Sequence, residues 1–226
     1  MLASQRCLVG VAGGGGPTAL GTPVVTTSGS FGPGGTGWGV AAGAAVPRGN
    51  TIVAVGQVNT ADLSGLGDSS SNAWSVLAKT AYQTGQSPYV GFIGSANVTT
   101  ALTAATNVNF SFTNGGSGSG STYFETTIIT FTGTSTVNGT PQATSGTTVT
   151  TLSLTQTGIP AGGLAIACLG LDSGGGAVTW PAGWVSLGTA NYLPVAYQAF
   201  PSGGTADATP TWVTAATAEL MLAVFT

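Results

Sequence analysis

From Asn107 to Asn114 the chain alternates without a break: Val108, Phe110 and Phe112 share one face of an extended segment, and Asn109, Ser111 and Thr113 share the other. Such a pattern predicts a strand with one face in a core and one in water. Further short β-rich segments, "VVTTSG", "SPYVGFIGSAN", "TTIITFTG" and "TTLSLTQTG", are bounded by Gly, Pro, Asn or Ser. The best helical candidate is "SNAWSVLAKTAYQ". Even there Trp74 and Val76 repeat at period two, and the breaker "TGQSP" follows. Many short strands at regular spacing predict an all-β fold of the sandwich or barrel type.

The pattern also repeats. "VPRGNTIVAV" (46–55) matches "IPAGGLAIAC" (159–168), and "SNAWSVLAKTA" matches "PAGWVSLGTAN", which sets Trp74 on Trp184. "PYVGFIGSAN" then matches "LPVAYQAFPS", "NVNFSFTN" matches "TPTWVTA", and "TTIITF" (126–131) matches "LMLAVF" (220–225). The order is kept while the intervening loops shorten, as a degenerate duplication predicts. The expected organisation is therefore two tandem, jelly-roll-like β-sandwich modules. They cover residues 45–133 and 134–226, with "TSTVNGTPQATSG" as a linker or crossing loop. Two halves of one larger sandwich sharing a core would give the same pattern. Residues 1–44, with "GGGG" at 13–16, read as an irregular N-terminal arm and first strand region.

Composition narrows the function. Charged residues are 4% of the chain against roughly 25% in an ordinary globular protein, so Ser, Thr, Asn, Gln and Gly must supply the polar surface. Three basic residues (Arg6, Arg48, Lys79) and a net charge of -3 give no footprint for a phosphate backbone, and nucleic acid is not an expected partner. No apolar run approaches the ~20 residues of a membrane-spanning helix, and "MLASQRCLVGVAGGGG" is a poor signal peptide, so no membrane partner is expected and the chain reads as soluble and unprocessed. Cys168 lies in the apolar run "LAIACLGL" and reads as a buried free thiol rather than a partner for Cys7.

Candidate chemistry is sparse. The chain has no histidine, which removes the usual general base and the commonest transition-metal ligand. A Ser–Lys dyad would have to use Lys79, which reads more simply as a surface group. The six acidic residues are scattered, with no pair spaced as a glycosidase acid and nucleophile. No enzymatic activity and no cofactor are expected. Asp62, Asp68 and Asn72 in "ADLSGLGDSSSN" are the calcium candidates, set against the commoner use of Asp and Asn in turns; Asp172 in "LDSGGG" is read as the comparable loop of the second copy. Trp74 and Trp184 are read as core. Trp38, in a glycine-rich stretch, and Phe31 are the candidate partner contacts, with stacking on a sugar or, most simply, burial within its own chain as the other readings of Trp38. The sequons at Asn97, Asn109 and Asn138 are expected by chance in so Thr-rich a chain.

The succession "NTIVAV", "DSSSNAW", "YVGFIGSAN", "NVNFSF" and "TIITFTG", echoed by "GGLAIACLG", "WPAGW", "VAYQAF", "WVTA" and "LAVF", resembles β-sandwich structural proteins of tailed-bacteriophage virions. The resemblance covers most of residues 45–226. It implies a non-enzymatic protein of the particle surface, a capsid decoration (cement) or head-fibre component. Its partners would be other virion proteins and copies of itself in a homo-oligomer, with the arm making much of the contact. The alternative is a carbohydrate-binding adhesin or receptor-binding tail protein with aromatic rings stacked on sugars.

Overall fold

Two turns of the same design launch the two central strands. In each a proline carbonyl accepts a hydrogen bond from the amide three residues on, Asn50 to Pro47 (3.3 Å) and Gly163 to Pro160 (3.1 Å). Gly49 and Gly162 supply the positive φ (90° and 82°) that the third position of such a turn demands. The computed structural model describes residues 19–31, 37–59, 61–82, 89–114, 123–188 and 192–226.

The first half contains β1 (Val24–Phe31), β2 (Gly37–Ala41), β3 (Asn50–Asn59), β4 (Ala61–Asp68), β5 (Trp74–Ala81), β6 (Tyr89–Asn97), β7 (Asn107–Asn114) and β8 (Phe124–Thr132). The second contains β9 (Val137–Gly139), β10 (Gln142–Thr144), β11 (Val149–Thr151), β12 (Leu154–Ile159), β13 (Gly163–Leu171), β14 (Val178–Thr179), β15 (Val185–Gly188), β16 (Val195–Phe200), β17 (Gly204–Ala208), β18 (Thr211–Ala216) and β19 (Ala218–Phe225). The best helical candidate in the sequence is thus strand β5. Its period-two Trp74 and Val76 were the better guide.

A sheet ordered β1-β8-β3-β6-β5 faces a smaller one ordered β2-β7-β4, and in the second half β10-β19-β13-β16-β15 faces β11-β18-β14. Strand for strand the two orders correspond. The extra pair β12–β17 has a reduced counterpart in the first half, where the single bridge Val46↔Leu102 stands where Ile159↔Gly204 stands in the second. Within the expected linker, β9 and β10 pair with β19 and close the edge of the large sheet.

Each half has its own core. Val108, Phe110 and Phe112 are buried and Asn109, Ser111 and Thr113 exposed, as period two requires. A third core lies between the halves. Ile52 and Ala54 point into the first sandwich, whereas Val53 and Val55 meet Leu164, Ile166, Met221 and Phe225 of the second. The large sheets therefore pack face to face, giving four layers with both inner sheets buried on two sides. Neither expected organisation is complete, because two sandwich cores and a shared one coexist.

Residues 1–44 are no arm where they are described. β1 pairs with β8 through seven residues, and β2 pairs with β7 from Gly37↔Ser111 to Ala41↔Asn107. Gly29, Gly37 and Gly39 sit inside ladders whose partners supply the packing. Residues 1–18, which would form the rest of the arm, lie outside the described residues, as does Cys7.

Candidate functional site

At one end of the interface between the large sheets, the chain repeats a local device. The Asn59 amide donates to the Tyr123 carbonyl (3.0 Å), and its side-chain oxygen accepts from the Tyr123 amide. Asp172 does the same with Thr217: its amide donates to the Thr217 carbonyl (3.1 Å) and its Oδ1 accepts from the Thr217 amide (3.0 Å). Each side chain caps the rung where a central strand leaves its neighbour, as Asn and Asp do at chain reversals. Asp172 is thus the counterpart of Asn59, not of the Asp62–Asn72 loop as expected.

Between these caps opens a cleft of about 460 Å³ lined by Asn59, Tyr89, Tyr123, Asp172, Ser173 and Tyr192. Its tyrosines come from strand ends: Tyr89 opens β6, Tyr123 precedes β8 and Tyr192 comes shortly before β16. The Tyr123 and Tyr192 rings meet edge-to-face with centroids 6.2 Å apart, one from each half. Tyr89 packs on Tyr82 at 5.7 Å. Four of the five tyrosines in the chain therefore gather at this one place. Partial burial raises the Tyr89 phenol above its usual range, opposed by its hydrogen bond with Asn59.

Beneath the cleft a polar relay runs into the shared core. The Tyr82 hydroxyl donates to Gln57 Oε1 (2.7 Å), and Gln57 Nε2 donates to Glu125 Oε2 (3.3 Å). Gly170 leaves room for this, since a Cβ there would stand 3.2 Å from Gln57 Oε1 and 3.3 Å from the Tyr82 ring. Glu219 occupies the position equivalent to Glu125 and is fully buried, and neither of its carboxyl oxygens has a hydrogen-bond partner of ordinary geometry. Burial pushes its carboxyl well above the usual range, with the Gly91 backbone opposing. Burial, and then Glu219, push the Tyr82 phenol and the free Cys168 thiol well up.

The calcium candidates do not converge. Asp62 and Asp68 lie at opposite ends of β4. Asp62 pairs with Lys79 at 3.0 Å, and that ammonium also donates to the Leu63 carbonyl (3.2 Å). Asp68 accepts from the amides of Ser70 (2.8 Å) and Asn72 (3.2 Å), from Asn72 Nδ2 (3.1 Å) and from Trp74 Nε1 (2.7 Å). Asn72 Oδ1 is taken by the amides of Thr99 and Thr100. Asp68 to Asn72 form a hydrogen-bonded clamp whose side-chain oxygens are already committed, whereas Asp62, at the other end of β4, keeps one buried carboxyl oxygen, Oδ1, without a hydrogen-bond partner. Among the described residues no group of three or more His, Cys, Asp or Glu side chains could hold a metal.

Trp38 lies where the reading of burial within its own chain places it, rather than as a free partner contact. Its ring packs on Phe112 (5.2 Å) and Phe124 (5.7 Å) in the first core, because the pairing of β2 with β7 turns it inward. The Phe31 backbone pairs with Phe124, and its side chain lies outside the described residues. Trp74 also packs on the first core, and Trp180, Trp184 and Trp212 belong to the second. Sequence reasoning centred on tryptophan and so passed over the tyrosines. Their common signal is a Tyr at the junction of a loop and a strand, in "TAYQ", "SPYV", "STYF" and "NYLP". No family profile, curated protein or solved structure matches this chain.

Proposed function

We propose that this chain is a non-enzymatic structural protein of a tailed-phage virion, a capsid decoration or head-fibre component built from a duplicated sandwich module and working through subunit contacts. One observation carries the reading. Among the described residues, four of the five large apolar side chains left exposed lie on sheet-edge strands: Val24 (57%) on β1, Val76 (44%) on β5, Val137 (41%) on β9 and Val185 (49%) on β15. An edge strand presents unpaired N–H and C=O groups, and monomeric proteins shield it with charge, proline or a covering loop. Valines at both rims of both large sheets suit strand addition to neighbouring copies or other particle proteins. A surface with few charges suits repeated self-contact as well.

The alternative, an adhesin reading sugars with exposed tryptophans, loses that support because all five rings pack on the sandwich cores. The assembly reading is tested by light scattering on the purified chain and on Val76→Lys with Val185→Lys. The unmodified chain is expected to self-associate and the double variant to fall to monomer with an unchanged melting temperature. Quantitative mass spectrometry of particles should find the chain in a fixed ratio to the capsid protein. A chain that stays monomeric and is absent from particles overturns the reading.

A further inference from the structure

We propose that the tyrosine cleft between the two halves is a binding site for a neutral saccharide, a property separate from assembly through the sheet edges. Its shape and chemistry carry the assignment. A concavity of about 460 Å³ falls in the size range of small-ligand pockets. It also holds aromatic faces beside fixed polar groups. The C–H face of a pyranose ring packs on a tyrosine ring, and the sugar hydroxyls need donors and acceptors at the rim, which phenol, amide, carboxylate and hydroxyl groups supply. Tyr89, Tyr123 and Tyr192 give the faces, and Asn59, Asp172 and Ser173 the rim.

The rim is held in place before any ligand arrives. Asn59 is fixed by Tyr123, and Asp172 by Thr217 and by Ser173 Oγ (3.2 Å), so little ordering cost falls on binding. Charge selects the sugar class. The described lining has a carboxylate and no cation, which disfavours phosphorylated, sulfated and sialylated ligands. It also has a single carboxylate, whereas the usual glycoside-cleaving site uses a pair, so the cleft is assigned binding and not cleavage. Among the described residues no large exposed apolar side chain borders the cleft, which sets it apart from a protein-docking face.

A glycan array of neutral, sialylated, sulfated and phosphorylated oligosaccharides tests this, followed by saturation-transfer NMR and calorimetric titration with the strongest neutral hit. The chain is expected to retain neutral glycans only. Tyr192→Ala should weaken the hit by about tenfold or more, and Tyr192→Phe, which keeps the ring face, by no more than about threefold. Ser173→Trp, at an exposed position, should block the cleft without altering the melting temperature, which keeps the test decisive if Tyr192→Ala misfolds. Retention of no neutral glycan overturns the proposal. So does retention of charged glycans alone, or full affinity in the folded Ser173→Trp variant. Each of these results leaves the assembly of the chain untouched.

Discussion

The two sandwiches share a strand order and fill it with different residues. In the first, Phe92, Phe110, Phe112 and Phe124 form a ring cluster with centroid separations of 4.9 to 6.2 Å. In the second, Trp184 and Trp212 lie among Ala165, Ala167, Ala196, Ala206, Ala208 and Ala216. Large side chains sit against small ones in both, but the large and small positions have moved. Gly56 shows the rule locally, since a Cβ there would come within 2.3 Å of the Phe92 ring. In the second half the counterpart of Gly56 is Leu169, whose amide bonds to Pro194 (2.9 Å). Topology survives such exchange because period and turns set it, whereas side-chain identity only has to conserve volume.

The comparison breaks most completely if one core can fail while the other stands. Phe110→Asp places a charge where no partner exists, a cost that exceeds the whole stability margin of about 5–15 kcal/mol only if the fold cannot relax around it. Because β3 and β8 line both the first core and the shared one, we expect the variant to lose its cooperative melt altogether, read by circular dichroism. A protease-resistant fragment covering residues 134–226 would instead show that the second sandwich is independent.

A smaller perturbation addresses the shared core. Phe131 and Phe225 occupy equivalent positions and meet edge-to-face at 5.4 Å, so the interface brings counterpart residues together as an approximate two-fold relation does. Truncating either to Ala should cost about 3–5 kcal/mol. The double variant should turn one calorimetric transition into two, one for each sandwich. A single transition merely moved to lower temperature would mean that the halves are coupled by more than this core.

Much of this architecture could be read from the alternations. Val108 to Thr113 point where period two places them, and matched turns at Pro47 and Pro160 open matched strands. The sequence leaves a shared core and two separate cores as alternatives, and their coexistence is not legible in it for a physical reason. "TIVAVGQV", "LAIACLGL" and "ELMLAVF" are near-continuous apolar runs, the sign of strands buried on both faces, yet a single strand cannot say what covers its second face. The cleft was harder still. Tyr123 and Tyr192 are far apart in sequence, and only the packing of one half on the other brings them together. Trp38 and Asp68 stay between readings in the sequence, because glycine neighbours give no sign of a partner strand and because turn and calcium loops use the same residues.

The smallest expected effect isolates the one point where equivalent residues behave differently. Glu125 is held by Gln57, whose amide is steadied by Tyr82, whereas the counterpart of Gln57 in the second half is Gly170, which offers Glu219 no side chain. Glu219 therefore keeps its proton to a higher pH in the folded chain than in the unfolded one. In the window between those two values the native state binds more protons. Stability is then fully present below the ordinary glutamate range and falls as pH rises through the window. Glu219→Gln keeps the shape, stays neutral and removes that slope. It should match the parent near pH 4 and exceed it near pH 8 by about 1–3 kcal/mol, the scale of one unsatisfied buried group, read from urea midpoints at the two pH values. The mirror variant Glu125→Gln should gain nothing at pH 8, because its position already has a donor. Equal effects from the two variants at every pH would mean that the halves treat their buried carboxyls alike, and the asymmetry at the interface would be lost as an explanation.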